Sequence, residues 1–305
     1  MKTRYFAAAA LLSAALVTIA GCASGNPLGN GPADNGKAKS STVIIGSLNY
    51  PESEVLVEIY SQALQGVGVK VEEKFNIGAR EITMPALKDG SIDLIPEYSG
   101  SVLTFLDPKS TASSPDDVMA ALKPILPSGL VALDPAQAQD SDVLAVTEST
   151  AEKYNLKTVS DLSSVASKFT VGGNPEFQTR QAGIVGLKSV YGLTFGGYKN
   201  LDEAGPLTVS ALANGQVQVA DMFSTDPAMD EKHFVALEDD KHLFAAQNVT
   251  PIIAKSSLTS TIQTALNAVS AKLTTPELIS LNEKLSQGQS FQQAATDWLK
   301  AKGLK

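Results

Sequence analysis

The chain has 305 residues, 43% of them hydrophobic and 18% charged, so it can bury a substantial core and is not a disordered protein. Its net charge is −8, and no run of Lys or Arg offers the basic face that nucleic-acid binding needs. One cysteine and two histidines leave no internal disulfide and few ligands for zinc, so we expect neither a metal nor a cofactor.

The first residues have the layout of an export signal. Basic residues precede an uncharged apolar stretch from Phe6 to Ala20, which is too short to cross a bilayer comfortably. The only cysteine follows at once, and Ile19-Ala20-Gly21-Cys22 resembles a bacterial lipobox. The resemblance implies that residues 1–21 are removed and that acyl chains on Cys22 anchor the protein to the outer face of the cytoplasmic membrane. An ordinary secretory signal with a chance cysteine is the alternative.

Residues 22–42 are rich in Gly, Asn, Ser, Pro and Ala, which predicts a flexible tether. Beyond them, short β-branched runs alternate with stretches of helical periodicity. The predicted strands are 43–46, 69–72, 92–95, 143–146, 169–172, 217–220 and 234–237. The predicted helices are 54–65, 80–88, 114–122, 149–154, 181–191, 258–273, 276–287 and 291–300, with a further helix start capped at 160–162. This order favours parallel α/β sheet in two lobes, followed by a helical tail.

An internal echo supports two lobes. Residues 86–94 match residues 211–219 in pattern, each being a helix end, a polar-Gly turn and a strand. Four residues past each strand segment stands an aromatic followed by serine, Tyr98 in one unit and Phe223 in the other. Ligands of open α/β sheets bind beyond the carboxyl ends of the strands, so the echo predicts that both rings face one cleft. The alternative is that both rings belong to the core.

Several segments, taken in order and spacing, carry a family resemblance. They are GSLNYPE (46–52), GARE (78–81), PEYSGS (96–101), SDL (160–162), EFQTR (176–180), YGL (191–193), FSTD (223–226), LEDDK (237–241) and NVTP (248–251). They resemble the substrate-binding proteins of osmoprotectant ABC transporters, which bind glycine betaine, carnitine or choline. The resemblance implies an α/β, two-lobed periplasmic-binding-protein fold of type II with hinge crossings. It implies lobe 1 at 43–139 and 241–305, and lobe 2 at 140–240.

The same resemblance implies a ligand site. Tyr98 and Phe223 match positions of the family's aromatic cage, whereas Asp142 stands where an aromatic is common, and Ser53 where relatives have a glutamine that touches ligand. The full set of expected ligand contacts is Tyr50, Ser53, Tyr98, Ser101, Asp140, Asp142, Arg180, Phe223 and Thr225. Of these, Arg180 either meets a ligand carboxylate or pairs with a carboxylate of its own lobe.

Two ligand classes stay open at this point. An acid in the cleft favours a cation without a carboxylate, such as choline, held by ring faces. Aspartates beside rings also suit hydroxyl-rich or phenolic ligands. We expect a monomeric solute receptor that delivers its ligand to the permease subunits of an ABC importer. Because no nucleophile–base pair is visible, an extracytoplasmic enzyme or sensor on the same fold is only the alternative.

Overall fold

The computed structural model describes residues 42–305, in which ten strands form two five-stranded sheets. The predictions for the signal peptide, for Cys22 and for nearly all of the tether lie outside the described residues. The first sheet has the order β2-β1-β3-β10-β4 and the second has the order β7-β6-β8-β5-β9. The strands are β1 (Thr42–Gly46), β2 (Lys70–Lys74), β3 (Leu94–Tyr98), β4 (Leu130–Ala132), β5 (Asp142–Thr147), β6 (Thr170–Gly173), β7 (Gly197–Asn200), β8 (Val219–Phe223), β9 (Phe234–Ala236) and β10 (Val249–Ala254).

Both sheets are mixed rather than purely parallel. In the first, β1 runs parallel to β2 and β3, as the strand–helix–strand pattern predicts, but β10 runs antiparallel to β3 and β4. In the second, β6 runs parallel to β7 and β8, while β5 runs antiparallel to β8 and β9. The antiparallel strand in each sheet is the one that follows a crossing between lobes, where the chain enters from the opposite end.

Eleven α-helices lie in residues 42–305. They are α1 (Pro51–Gly66), α2 (Arg80–Asp89), α3 (Ser99–Leu106), α4 (Pro115–Ile125), α5 (Glu148–Tyr154), α6 (Ile184–Tyr191), α7 (Pro206–Ala213), α8 (Ala228–Glu231), α9 (Ser260–Ser270), α10 (Thr275–Ser286) and α11 (Phe291–Ala301). The segment capped at 160–162 forms a 3₁₀ helix over Val159–Ser164. The three C-terminal helices pack against α1, which places the predicted helical tail on the first lobe. Helices long and apolar enough to cross a membrane are absent from this part of the chain.

Each lobe has its own hydrophobic core. Residues of α1, β3, β10 and the C-terminal helices share one buried cluster, which contains Ile45, Leu94 and Ile252. In the second lobe, alternate residues of β5 point to opposite faces, so Leu144 and Val146 join one cluster while Ala145 joins another. Burial on both faces explains why these strands appear in the sequence as continuous apolar runs.

Two extended segments connect the lobes side by side. Gln139 and Asn248 form an antiparallel bridge, and the backbone N–H of Asp140 donates to the carbonyl of Gln247 at 3.2 Å. The first crossing therefore lies near residue 140. On the second crossing, Phe244 packs against the buried cluster of lobe 2 and the next residue, Ala245, belongs to that of lobe 1, so the lobe boundaries stay predictions.

Candidate functional site

Three aromatic rings meet where the two lobes face each other. The ring of Tyr50 lies 5.0 Å from that of Phe223 and 6.3 Å from that of Tyr98, measured between centroids. Tyr50 and Tyr98 belong to lobe 1 and Phe223 to lobe 2, so the rings span the gap. Tyr50 and Tyr98 also belong to the buried cluster of the first lobe, with Phe223 packed against it, so a role of these rings in ligand binding stays a prediction.

The backbone explains why these rings converge. Tyr98 is the last residue of β3 and Phe223 is the last residue of β8, so each ring stands at the carboxyl end of its strand. Tyr50 is extended and immediately precedes α1, whose first position is Pro51. Proline fits the first helical position because its missing N–H needs no partner there. A strand end in each lobe and a helix start thus point into one cleft.

Glu52 connects these elements through a buried hydrogen-bond network. Its side chain accepts hydrogen bonds from the Tyr98 hydroxyl, from Thr225 Oγ1 at 2.6 Å and from Asn282 Nδ2 at 2.5 Å. Tyr98 comes from β3, Thr225 from lobe 2 and Asn282 from α10, so one carboxylate holds three separate parts of the chain. Burial raises the pKa of Glu52 even though its hydrogen bonds oppose the shift.

Further carboxylates surround the same place. Burial raises the pKa of Asp140 well above its usual value, and the nearby charge of Glu52 adds to the shift. Burial likewise raises the pKa of Asp142. It also raises the pKa of Asp221, and the nearby charge of Asp142 adds to that shift. Burial raises the pKa of Glu203 to about 7. Desolvation disfavours the charged form of each acid, so this cluster resists carrying its full negative charge.

The two arginines of the cleft are already paired with other acids. Arg80 is 6% exposed and forms a bidentate ion pair with Glu97, the shortest contact being 2.7 Å. Arg180, in lobe 2, forms a second bidentate pair with Glu81 of lobe 1, at 2.8 Å and 3.0 Å. Glu203 lies 3.7 Å from Arg180 as a weaker partner. The bidentate partner of Arg180 thus lies in the opposite lobe, and the carboxylate of its own lobe that the sequence analysis expected is the more distant Glu203.

Two cavities adjoin the rings. The inner one, with a volume of about 20 Å³, is lined by Leu48, Tyr50, Arg80, Tyr98, Ser101, Asp140, Asp142, Arg180, Glu203 and Phe223. A space of this size holds about one water molecule. The outer one has a volume of about 630 Å³ and is mostly apolar. Clusters of His, Cys, Asp and Glu arranged to hold a metal ion do not occur in residues 42–305.

Most of the residues expected at the ligand are brought together here. Seven of the nine line the inner cavity, and Thr225 lines the outer one. Ser53 lies at neither cavity, because its side chain is fully buried inside the first turn of α1 and its Oγ accepts a hydrogen bond from the Leu48 N–H at 2.9 Å. In this arrangement Ser53 fixes the loop before α1, and its contact with ligand stays a prediction.

The sequence reasoning did not single out three acids of the site, Glu52, Glu203 and Asp221. Glu52 lies in the first turn of α1, where an acidic residue stabilises the helix, so its position alone reads as ordinary. Glu203 lies between β7, which was not predicted, and α7, of which only the end near residue 213 was predicted. The Gly205-Pro206 pair before an apolar run is a helix-start signal that would have drawn attention to this loop.

The comparisons with known proteins agree with this geometry. Residues 41–301 match the OpuAC family model, described as the substrate binding domain of ABC-type glycine betaine transport systems. The glycine-betaine-binding protein of Pseudomonas aeruginosa is 27% identical over 87% of this chain and 89% of its own length. The carnitine transport binding protein OpuCC of Listeria monocytogenes is 27% identical over 81% of this chain and 82% of its own.

Solved structures give the same fold. A crystal structure of a glycine betaine/carnitine/choline ABC transporter protein superposes with a TM-score of 0.69 and 25% identity, covering 86% of this chain and 99% of that one. The two-lobed architecture predicted from the sequence is thereby confirmed.

Proposed function

The chain belongs to the OpuAC family of substrate-binding domains of ABC-type glycine betaine transport systems, and we propose that its own ligand is a quaternary ammonium cation without a carboxylate, such as choline. Members of this family work outside the cytoplasm and hand a solute to a membrane permease. The proposal concerns which solute this member takes.

The balance of charge in the cleft is the observation that carries the proposal. Glu81 and Glu97 already neutralise Arg180 and Arg80. The remaining acids form no close ion pair apart from the 3.7 Å contact between Glu203 and Arg180, and the nearby charges of Arg180 and Arg80 only partly oppose the rise that burial causes in the pKa of Asp142. These acids are Glu52, Asp140, Asp142, Glu203 and Asp221. A cationic ligand supplies the missing positive charge, whereas the carboxylate of a zwitterion is repelled.

The rings supply the second part of the recognition. A quaternary ammonium group has no N–H to donate, so it binds through ring faces and shape, at about 0.5–2 kcal/mol per ring depending on desolvation. Tyr50, Tyr98 and Phe223 provide three faces from both lobes. Since the inner cavity is about 20 Å³, the lobes must separate to admit even choline.

Titration calorimetry with choline, carnitine and glycine betaine tests this proposal. We expect choline to bind most tightly, and its affinity to rise from about pH 6 to about pH 8, because a bound cation favours the ionised form of acids with raised pKa values. Binding should release protons, seen as a dependence of the heat on the buffer. Asp142→Asn should weaken choline binding, whereas Glu152→Gln, an exposed acid on α5, should not. Tighter binding of glycine betaine by the wild type would contradict the proposal.

A second ligand class is favoured by one specific observation. Asp221 Oδ1 and Glu203 Oε2 are buried and accept no hydrogen bond within residues 42–305. Ligand hydroxyls would satisfy such acceptors, and a buried acceptor left without a donor costs about 1–3 kcal/mol. A neutral polyol or phenol that binds more tightly than choline, with little dependence on pH, would favour this class.

The remaining parts of the proposal concern turnover, anchoring and partners. We propose a receptor without catalytic activity, so mass spectrometry should recover the ligand unchanged after long incubation. We propose that Cys22 is acylated, that the anchored monomer works at the outer face of the cytoplasmic membrane, and that it docks on permease subunits. Cys22→Ala should release soluble protein or leave an uncleaved precursor. A mature, membrane-bound Cys22→Ala product would contradict the anchor.

A further inference from the structure

An apolar groove lies directly beside the aromatic cleft. It has a volume of about 630 Å³, which is within the range of about 300–1,000 Å³ that small-molecule pockets occupy. One wall comes from lobe 2, through Pro206 and Val209 of α7 and through Pro227. The other wall comes from the C-terminal helices, through Leu285 and Phe291. Because the walls belong to different lobes, the groove changes shape with the same motion that opens the cleft.

The groove and the inner cavity share a boundary. Tyr50, Glu203 and Phe223 line both spaces. A group held against the rings of Tyr50 and Phe223 therefore lies at the inner end of the groove, and a substituent on that group can extend outward along it. On the other side, a cavity of about 270 Å³ shares Arg80, Ser101, Asp142 and Arg180 with the inner cavity, so the space there is smaller and is lined by both arginines.

The charges of the groove select the sign of its occupant. Three acids line it, namely Glu52, Glu203 and Asp226, and its lining contains no Lys, Arg or His from the described part of the chain. Two of these acids lie at the end of the groove next to the cleft. Glu52 accepts a hydrogen bond from the Tyr98 hydroxyl, and Glu203 also lines the inner cavity. The buried Oε2 of Glu203 accepts no hydrogen bond from residues 42–305. An occupant with a cationic head at this end and an apolar body matches the lining.

We propose that the groove is a second subsite, which takes the apolar substituent of a quaternary ammonium ligand whose cationic head lies against Tyr50 and Phe223. The inference rests on the proposed function and narrows the substrate class to ammonium cations that carry an alkyl or aryl group larger than methyl. Choline itself would use the rings and leave the groove to solvent.

A ligand series tests the subsite. Choline is compared with analogues in which one methyl group on nitrogen is replaced by butyl, hexyl or benzyl. Each methylene that enters the groove should strengthen binding by about two- to fourfold, since its transfer from water is favourable by up to about 0.8 kcal/mol. A neutral analogue with a quaternary carbon in place of nitrogen and the same hexyl group should bind at least tenfold more weakly.

Matched variants locate the effect. Ser286→Trp places a ring in the groove from an exposed position at the end of α10, and it should abolish the gain from hexyl while leaving choline binding within about twofold. Glu283→Trp is the control, because Glu283 is exposed on the same helix and lines neither cavity. Phe291→Ala should reduce the gain by removing part of one wall.

The outcomes separate the two proposals. If neither choline nor its analogues bind, the proposed function fails. If choline binds and longer substituents bring no gain, the subsite is refuted while the function stands. A gain that persists unchanged in Ser286→Trp places the substituent elsewhere and also refutes the subsite.

Discussion

The ion pair between Arg180 and Glu81 joins the two lobes, so Glu81→Gln should favour their separation. The pair is bidentate, with distances of 2.8 Å and 3.0 Å. The Glu81 side chain is 39% exposed and that of Arg180 is 21% exposed, so solvent screens much of the attraction. We therefore expect the pair to stabilise the closed arrangement by about 0.5–1 kcal/mol, the upper range for exposed pairs.

This magnitude converts directly into affinity. A ligand that requires both lobes binds in proportion to the fraction of closed protein, so losing about 0.5–1 kcal/mol weakens binding by at most about two- to fivefold. Because the closed complex loses a contact, most of the change should be in the dissociation rate. Added salt should weaken wild-type binding and bring it towards that of the variant.

Calorimetry at low and high salt, together with small-angle scattering without ligand, measures both effects. Glu277→Gln is the matched control, because Glu277 pairs with Lys302 at 2.6 Å between two helices of the same lobe. Glu81→Gln should increase the radius of gyration and lower the affinity, whereas the control should change neither. Equal affinity and equal salt dependence in Glu81→Gln and wild type would show that the cross-lobe pair contributes nothing to closure.

Three further predictions concern single side chains of the cleft. Burial raises the pKa of Glu203 from 4.5 to about 7, so the folded state holds a proton that the unfolded state releases. Without ligand, the free energy of unfolding should therefore fall by an amount on the order of 3 kcal/mol as pH rises from about 4.5 to about 7, and melting temperatures of Glu203→Gln measured across this range should depend less on pH. Tyr98→Ala and Phe223→Ala should each weaken ligand binding several-fold with modest loss of stability, and Phe223→Tyr should be tolerated; an Ala variant that binds normally but melts much earlier would make that ring a core residue. Asp142→Tyr should strengthen glycine betaine binding in calorimetry, and an unchanged affinity would contradict the role assigned to this acid.

The sequence was most informative where apolar runs are long and turns are glycine-rich. The echo between residues 86–94 and 211–219 led to Tyr98 and Phe223, because equal offsets from equivalent strands place side chains at equivalent strand ends. The family resemblance added Asp140 and Asp142, which lie at the first crossing. The first signal depends on the spacing of residues within a short segment, and the second on their position along the chain. Neither requires knowledge of tertiary contacts.

Elements with mixed signals were missed. β10 contains Pro251, which argues against a central strand, yet it lies between β3 and β4. Pro251 lies opposite Pro96 of β3. The carbonyl of Pro251 accepts a hydrogen bond from the Leu133 N–H, just beyond β4, at 2.9 Å. Because neither proline has an N–H, the pair leaves no donor unsatisfied. The strand therefore forms although the rule that excludes proline from central strands argues against it. β7 was missed because its short segment, GYKN, is polar and only half-buried.

The acid cluster could not be predicted because its members come from four distant segments. Burial raises the pKa values of Glu52, Asp140, Glu203 and Asp221 where these segments meet, which no local pattern in the sequence reveals. Closure without a cation therefore opposes their ionisation, whereas the Arg180–Glu81 pair favours closure whatever the ligand. A bound cation offsets the cost of burying the ionised acids and leaves the Arg180–Glu81 pair unchanged. A zwitterion instead adds another carboxylate to the cluster. The proposed selectivity for cations would then follow from closure itself, because the discrimination would operate only where the lobes meet and the carboxylates lose their solvent.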